Sequence, residues 1–365
     1  MLKTASHAKF VPQAAARFDV EIASIVTAVP EHRVTQSDVT ERVKRLFPQL
    51  RHHDGLFANT GIESRYTCQP PDWYHENHGW EERTEVFQRH ALALLEEATL
   101  GAVASAGIPL SDISAVVVNT ITGLAIPSLD AKLMNRLDLP PTVERLPIFG
   151  LGCGGGVAGL ARAARLTQAM PGAHVLFLTV DLCSLCFRTA DPSMAMFVAT
   201  ALFGDGAAGV VLRNTRGAQP TTKSRVRILA MGEHFWRETE HIMGWDIKED
   251  GFGVVLSPEL PKLIENRLAP ALQGFLDTNG MSLGELSGFV LHPGGGKILQ
   301  TIEKVLGLKR EELAYSWEVL RKFGNMSSPT VLFALERAID AKARGPHLLA
   351  AFGPGFSAYF LVIDL

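Results

Sequence analysis

One cysteine of this chain lies in a glycine-rich run, at a position where its sulfur could act as a nucleophile. Cys153 is followed by three glycines and then by residues 157–166, an alanine-rich stretch typical of a buried helix. Unpaired backbone N–H groups and the dipole of that helix would stabilise a thiolate at its N-terminus. The alternative is a buried structural cysteine in a tight turn, and this stretch alone favours neither interpretation.

Two other residues could complete the chemistry of such a cysteine. A cysteine that carries an acyl group needs a base or a cation beside it, and donors for a developing oxyanion. His292 follows an apolar run and precedes a Pro-Gly-Gly-Gly turn, so its ring could face a cavity from the end of a strand. Asn325 precedes a predicted helix, where asparagine is also a common N-cap. Taken singly, His292 could be an ordinary loop histidine and Asn325 a helix cap.

The elements that must position these residues form two similar series. In the first half a strand ends near Thr122, and a small-residue turn that holds Cys153 then leads into a helix. In the second half a strand ends at His292, and the corresponding turn before a helix holds Asn325. The separations from 122 to 153 and from 292 to 325 are alike, and a Phe-Gly-x-Gly turn precedes the last strand of each half. Three matches in one order indicate an internal duplication. Two α/β halves related by a pseudo-twofold axis would bring the three side chains together where the halves meet.

The predicted elements divide the chain into an arm and two halves. The apolar runs predict strands at residues 20–29, 114–120, 174–180, 207–212, 286–291, 347–351 and 357–363. Helices are predicted at residues 35–46, 84–106, 157–166, 298–306 and 330–343, whereas residues 52–80 have the composition of an irregular surface loop with a short helix. Residues 214–224 are polar and are the best linker candidate. We therefore expect an N-terminal arm at 1–19, one half at 20–218 and a second half at 219–365.

Composition excludes several classes of protein. The 365 residues are 47% hydrophobic, which is enough for a large buried core, and the net charge of −3 argues against a nucleic-acid partner. No apolar run approaches the roughly 20 residues that span a bilayer, and the first residues contain no signal-peptide core. We expect a cytoplasmic protein with free thiols. Cys183 and Cys186 have CxxC spacing, but no second pair completes a zinc set, so neither metal nor cofactor is expected.

Four stretches together resemble one enzyme family. They are Leu-Phe-Gly-Asp-Gly-Ala-Ala at 202–208, His-Pro-Gly-Gly at 292–295, Gly-Asn-Met-Ser-Ser at 324–328 and Phe-Gly-Pro-Gly at 352–355. This set is similar to the type III polyketide synthases, the chalcone synthase family, over roughly residues 20–365. The resemblance implies a thiolase-like layered αβαβα fold built from two pseudo-repeated halves. It also implies a homodimer that takes an acyl-CoA starter and malonyl-CoA as substrates.

The resemblance assigns a role to each of the three candidate residues. Cys153 would hold the starter and the growing chain, and His292 would pair with it as an imidazolium. His292 and Asn325 would donate hydrogen bonds to the thioester oxygen of malonyl-CoA, which becomes an enolate as carbon dioxide leaves. Asp205, a charged residue inside a glycine turn, would be structural.

The resemblance also implies a set of residues around the substrate. These substrate-binding residues are Phe203, Ile121, Thr122, Cys186, Val254, Gly353 and Pro354. Phe203 would gate the cavity, although core packing is the alternative. Cys186 stands where plant chalcone synthases have a threonine, and Val254 stands where they have a second gate phenylalanine. These smaller apolar groups are consistent with a tunnel for an alkyl chain, hence with an alkylresorcinol or alkylpyrone product. The same cysteine also occurs in relatives that start from malonyl-CoA.

Three surface positions follow from the same resemblance. Arg51 and Lys297 are candidates for binding the phosphates of coenzyme A, although each could simply be a solvated side chain. Ile126 lies in a stretch that crosses to the other subunit in this family, so it would lie near the partner's cavity. Starter, number of extensions and mode of ring closure do not follow from the sequence. The alternatives are a single-condensation ketoacyl synthase, a Cys-His-Asn thioester hydrolase and a catalytically idle relative.

Overall fold

The structure is a computed structural model that describes residues 18–48, 55–216 and 226–365. Most of the predicted arm, the candidate CoA ligand Arg51 and most of the linker lie outside the described residues. The boundary predicted between the halves, at 218, also falls there and stays a prediction. The strands are β1 (Val20–Ala28), β2 (His32–Thr35), β3 (Ser64–Thr67), β4 (Ile113–Thr120), β5 (Glu144–Phe149), β6 (His174–Leu182), β7 (Asp205–Asn214), β8 (Val226–Phe235), β9 (Met243–Lys248), β10 (Gly251–Leu256), β11 (Gly288–Leu291), β12 (Pro346–Gly353) and β13 (Ser357–Asp364).

The α-helices alternate with these strands. They are α1 (Gln36–Leu46), α2 (Gly55–Ala58), α3 (Trp80–Ala106), α4 (Leu129–Leu137), α5 (Gly155–Ala169), α6 (Met194–Leu202), α7 (Leu260–Thr278), α8 (Gly296–Leu306), α9 (Ala314–Phe323) and α10 (Thr330–Asp340). Local signals set several of their ends: Thr35 caps α1 by accepting a hydrogen bond from the Asp38 N–H, and Gly307 ends α8 in the left-handed conformation. None of these described helices is both long and apolar enough to cross a bilayer.

The duplication inferred from the sequence is present in the sheet. The strand order is β11-β12-β13-β8-β1-β7-β6-β4-β5, and β1 meets β8 through only two residue pairs, Glu21 with Arg227 and Ile22 with Val226. On either side of this narrow junction the pattern is the same. In the first half β4 pairs with β6 in parallel, and the pairings β6–β7 and β7–β1 are antiparallel. In the second half β11 pairs with β12 in parallel, and the pairings β12–β13 and β13–β8 are antiparallel. The thiolase-like α/β fold of two repeated halves is therefore confirmed.

The helices complete five layers. α5 and α10 lie between the two parts of the sheet, because α5 contacts β4 and β6 on one side and β12 and β13 on the other. α3 covers the outer face of β1, β6 and β7, and α7 packs on β8 and β13. Close packing in the central layer requires small residues: a Cβ on Gly159 would lie 2.5 Å from the ring of Phe177. The alanine-rich sequence of α5 is thus explained by burial between two sheets.

One expectation about local structure was wrong. The stretch 52–80 contains a strand, β3, which pairs with β2 from His32–Thr67 to Thr35–Ser64. Its sequence, Ser-Arg-Tyr-Thr, has no apolar alternation, because Arg65 is buried and serves as a hydrogen-bond donor. The Arg65 guanidinium donates to the carbonyls of Ala201 and Phe203, at the C-terminal end of α6.

Candidate active site

Cys153 lies in a single 3-10 turn, Gly152–Gly154, that leads directly into α5. The glycines allow this turn to press against the end of the second half. A Cβ on Gly152 would lie 2.6 Å from Pro354, and a Cβ on Gly154 would lie 2.4 Å from the ring of Tyr359. The Cys153 side chain is buried, with 8% exposure, at the N-terminus of a helix as predicted.

Asn325 is not a helix cap. α10 begins at Thr330, and the backbone of Asn325 instead bridges to Leu202 and Gly204 on the other half, through N–H···O bonds of 2.8 and 2.9 Å. Its side-chain Oδ1 accepts from the Ser327 N–H at 2.8 Å and lies 3.9 Å from the sulfur of Cys153. The structural alternative for Asn325 is therefore wrong, and the side chain faces the candidate nucleophile.

His292 follows β11 and is held by its own backbone, whose N–H donates to the carbonyl of Ala350 at 2.8 Å. Both ring nitrogens are buried, and neither has a hydrogen-bond partner in the part of the chain that the structure describes. The turn after His292 reaches the site because the Gly294 carbonyl accepts from Asn325 Nδ2 at 3.2 Å. Asn325 thus contacts both Cys153 and the turn that carries His292. The two ring nitrogens remain as hydrogen-bonding groups for a ligand.

Burial controls the protonation of this site. It raises the pKa of Cys153 to about 11, against the opposing effect of hydrogen bonds from Ser327 and Asn325. Burial likewise lowers the pKa of His292 to about 3. Both directions favour a neutral thiol and a neutral imidazole near pH 7 in the free protein. The imidazolium–thiolate pair stays a prediction, and these pKa values do not favour it before a substrate binds.

A buried carboxylate braces the site, and the sequence analysis did not find it. Asp181, near the end of β6, accepts from the Ile121 N–H at 2.8 Å and from the Ser328 N–H at 3.0 Å. Burial raises the pKa of Asp181, while its hydrogen bonds oppose that rise. The signal that could have found it is a charged residue inside an otherwise apolar strand. The Thr122 hydroxyl belongs to this frame, since it accepts from the Leu182 N–H at 2.8 Å.

Two neighbouring cavities lie at the site, and Cys153 lines the first of them. The first, of about 440 Å³ including the part open to solvent, is lined by Ile121, Gly152, Cys153, Cys183, Phe203, Met243, Gly244, Trp245, Val254, Val255, Leu256, Ser327 and Pro354. The second, of about 720 Å³ on the same measure, extends between α1, β3 and α6 and is almost entirely apolar. Both share Cys183, Phe203 and Val254, so these three side chains form the boundary between them.

The predicted substrate-binding residues divide into two groups. Ile121, Phe203, Val254 and Pro354 line the Cys153 cavity, and Cys186 lines the second one. Thr122 and Gly353 line neither; these two positions support the frame. A Cβ on Gly353 would lie 2.4 Å from the carbonyl of Leu151, which explains the glycine beside the Cys153 turn.

An aromatic pair above the cysteine includes a residue that the sequence analysis missed. Phe203 meets Trp245 edge to face, with ring centroids 6.0 Å apart. Trp245 lies on β9, in a stretch where Met243, Trp245 and Ile247 alternate with polar or small residues. That alternation could have revealed a strand, but not its place over the site.

Two predicted surface positions are described. Lys297 is exposed on the first turn of α8, close in sequence to His292. Ile126 is 97% exposed, in the loop between β4 and α4.

Comparison with known proteins gives one consistent result. The family model of the chalcone and stilbene synthases matches residues 8–220 with its N-terminal domain and residues 228–364 with its C-terminal domain. The 1,3,6,8-tetrahydroxynaphthalene synthase of Streptomyces peucetius subsp. caesius is 37% identical over 94% of this chain and 92% of its own. An alpha-pyrone synthesis polyketide synthase-like protein of Mycobacterium tuberculosis is 28% identical over 94% of this chain and 91% of its own. The crystal structure of 1,3,6,8-tetrahydroxynaphthalene synthase from Streptomyces coelicolor A3(2), a bacterial type III polyketide synthase, matches with a TM-score of 0.88 and 30% identity, over 94% of this chain and 99% of that one.

Proposed function

Because this chain belongs to the chalcone and stilbene synthase family of type III polyketide synthases, we propose that it carries a fatty acyl starter on Cys153 and extends it with malonyl units. The product would be an alkylresorcinol or an alkylpyrone. The observation that carries the assignment of the site is the Asn325 side chain, which contacts both Cys153 and the turn after His292.

Loading is a thioester exchange. The Cys153 sulfur attacks the carbonyl carbon of the acyl-CoA, the Cys153 thiol proton passes to His292, and the coenzyme A thiolate leaves. Neither ring nitrogen of His292 has a hydrogen-bond partner among the described residues, so one can accept this proton and later donate it. Because burial lowers the pKa of His292 in the free protein, the transfer belongs to the substrate-bound site, where negative charge develops beside the ring. The proton it gains also supplies the positive charge that the extension step uses.

Extension begins with the loss of carbon dioxide from malonyl-CoA. The electron pair of the breaking C–C bond forms an enolate, whose oxygen accepts hydrogen bonds from His292 and from Asn325. Asn325 Nδ2 has two N–H groups and gives one to the Gly294 carbonyl, so one remains for this oxygen. The enolate carbon then attacks the thioester on Cys153, which lengthens the chain by two carbons and frees the sulfur.

The second cavity supports an alkyl starter. Its wall is almost entirely apolar, and Cys186 and Val254 leave space where bulkier or polar side chains would fill it. Each CH₂ buried there would contribute about 0.8 kcal/mol to binding. The alpha-pyrone relative is consistent with such a product.

A second candidate is a product without an alkyl chain, made from malonyl units alone. The 37% identity to a tetrahydroxynaphthalene synthase favours it. The two are separated by supplying malonyl-CoA with and without acyl-CoA of 6 to 16 carbons or so, and by identifying the products by mass spectrometry. An alkyl product that depends on the added acyl-CoA supports the first proposal. A product from malonyl-CoA alone, unchanged by added acyl-CoA, supports the second.

Homodimerisation is part of the proposal. Among the described strands β5 pairs with β4 alone and forms an edge of the sheet, and Leu146 and Phe149 on it are exposed. Leu124 and Ile126 expose further apolar surface in the loop that follows β4. An open strand edge and exposed apolar side chains together suit a second copy of this chain. Ile126 would then approach the partner's cavity.

Coenzyme A binding and location complete the proposal. Lys297, on the first turn of α8, and Arg51 are proposed to contact the phosphates of coenzyme A. The four cysteines are free, which suits a reducing compartment such as the cytoplasm.

A further inference from the structure

The β9–β10 hairpin forms much of the wall of the Cys153 cavity, yet it does not belong to the main sheet. Of the strands in residues 18–48, 55–216 and 226–365, β9 and β10 pair only with each other, from Met243–Leu256 to Lys248–Gly251. The hairpin contributes these lining residues to the cavity: Met243, Gly244, Trp245, Val254, Val255 and Leu256. A small shift of this hairpin would therefore change the shape of the cavity directly.

The tip of the hairpin is held by an ion pair. Arg188 Nε donates to Asp250 Oδ1 at 2.7 Å, and Nη2 of the same guanidinium lies 2.6 Å from that oxygen. The Arg188 side chain is only 11% exposed. Partial burial would raise the pKa of Asp250, but the hydrogen bond and charge of Arg188 hold that pKa below its usual value. The pair is thus ionised, and it is shielded on the Arg188 side, whereas the Asp250 side chain is 34% exposed.

Arg188 connects two walls of the second, apolar cavity. It lies two residues after Cys186, in the segment that follows the 3-10 helix Cys183–Cys186, and β10 packs on that helix and on α6. Cys186 and Val254 line the second cavity from these two sides. Neither Arg188 nor Asp250 lines either of these two cavities. Gly253 permits the arrangement, because a Cβ there would lie 3.5 Å from Arg188 Nη1 and 3.0 Å from the Lys248 side chain.

We propose that Arg188 is a positioning residue that sets starter selectivity. Through Asp250 it holds the hairpin at a fixed distance from the Cys186 wall, and so it keeps the apolar cavity narrow and closed to water. A released hairpin would admit water beside the acyl chain, and a long chain would lose more contact than a short one. This inference rests on the proposed fatty starter, and it adds the residue that controls the width of the second cavity.

The test compares Arg188→Gln, Asp250→Asn and the double variant with the parent. Each single change should lower the ratio of kcat/KM for a 16-carbon over a 6-carbon acyl-CoA at least about fivefold. The double variant should be no worse than Arg188→Gln, because both changes break the Arg188–Asp250 pair. Arg188→Gln also removes a 3.2 Å pair with Asp191, so Asp250→Asn is the change that isolates the hairpin contact. Malonyl-CoA decarboxylation should fall by less than the selectivity ratio, because the proposed donors His292 and Asn325 do not lie on the hairpin. The matched control is Arg321→Gln, which breaks a 2.7 Å ion pair with Glu63. Neither residue of this pair lines either cavity.

Hydrogen–deuterium exchange of residues 243–256 separates this inference from the proposed function. Exchange should be faster in Arg188→Gln and Asp250→Asn than in the parent, and unchanged in Arg321→Gln. Unchanged exchange, or selectivity losses that multiply in the double variant, would overturn the role of Arg188. A parent enzyme that uses no fatty acyl-CoA would instead overturn the proposed starter, while the exchange rates would still decide whether Arg188 holds the hairpin.

Discussion

The Oδ1 atom of Asn325 lies 3.9 Å from the sulfur of Cys153, although 172 positions separate the two residues in the chain. The same amide donates through Nδ2 to the carbonyl of Gly294, two residues after His292. One side chain therefore connects the cysteine turn of the first half with the histidine turn of the second. The duplicated fold explains this meeting, because the two turns occupy the interface of two halves with the same strand order.

Loss of either proposed donor should slow decarboxylation. Asn325→Ala and His292→Ala should each lower the rate of carbon dioxide release from malonyl-CoA by about 10²-fold or more, the usual effect of removing one oxyanion donor. The rate is measured with labelled malonyl-CoA. Asn279→Ala, which removes an asparagine at the end of α7, is the control and should keep the parent rate. Unchanged release in both site variants would remove His292 and Asn325 from the chemistry.

Alkylation of Cys153 should depend steeply on pH. Because its pKa is raised to about 11, only a small fraction of the thiol is ionised at pH 7, and this fraction should grow about tenfold per pH unit up to pH 10. The rate of iodoacetamide labelling at Cys153, followed by mass spectrometry in the free protein, should rise in the same way. A rate that is already at its plateau by pH 7 would instead demonstrate the imidazolium–thiolate pair in the free state.

The sequence could predict the residues of the site that sit in repeated turns, but not the residues that pack over them. Cys153 and Asn325 occupy equivalent turns of the two halves, and His292 ends the strand that corresponds to the one ending near Thr122, so the internal repeat alone indicated their convergence. Trp245 belongs to a hairpin outside the repeat, and its position over Phe203 depends on tertiary contacts. Among these is the Arg188–Asp250 pair, whose members are 62 positions apart. Local pattern carries no information about such a contact.

A similar limit applies to the polar frame beneath the site. Asp181 was recognisable only as a charge in an apolar strand, since its partners Ile121 and Ser328 come from distant segments. Asn325 shows the opposite error, because its local context favoured a helix cap. The helix begins five residues later, and the intervening turn uses the Asn325 amide to accept from the Ser327 N–H. Tertiary packing overrode the local preference.

Burial of His292 should make stability depend on acid pH. The pKa of this ring is about 3 in the folded protein and about 6.5 in the unfolded chain, so below pH 6.5 the unfolded chain binds a proton that the folded protein does not. The free energy of unfolding should therefore fall as pH falls from 6.5 towards 3, by up to about 1.4 kcal/mol per pH unit. Above pH 7 this contribution is constant.

Denaturant unfolding of the parent and of His292→Gln at pH 7, 6 and 5, at one protein concentration, measures that dependence. The free energy of unfolding of the parent should fall more steeply than that of His292→Gln as pH falls. His241→Gln, at an exposed histidine, should show no such shift relative to the parent. Parallel pH profiles for the parent and His292→Gln would mean that His292 gains its proton equally well in the folded state.

Larger side chains in the second cavity should shorten the accepted starter. Cys186→Phe and Val254→Phe would fill space that a long alkyl chain needs, and each excluded CH₂ forfeits about 0.8 kcal/mol of binding. Use of a 16-carbon acyl-CoA should fall by at least about tenfold relative to a 6-carbon one, measured as a ratio of kcat/KM. Met194→Phe, on an exposed position of α6, should leave the ratio unchanged. Parent-like ratios in both cavity variants would make Cys186 and Val254 ordinary core residues.

Charge placed on the exposed apolar edge should dissociate the proposed dimer. Phe149 lies on the edge strand β5, and Ile126 is exposed in the loop that follows β4. Phe149→Asp and Ile126→Asp would each bury a carboxylate if two copies met there. Sedimentation velocity should detect a dimer for the parent and a raised fraction of monomer for both variants. Ile247→Asp is the control, because Ile247 is 78% exposed on β9, which is not part of the sheet that contains β5. A parent that sediments as a monomer would refute the dimer, and variants that remain dimeric would place the interface on another surface.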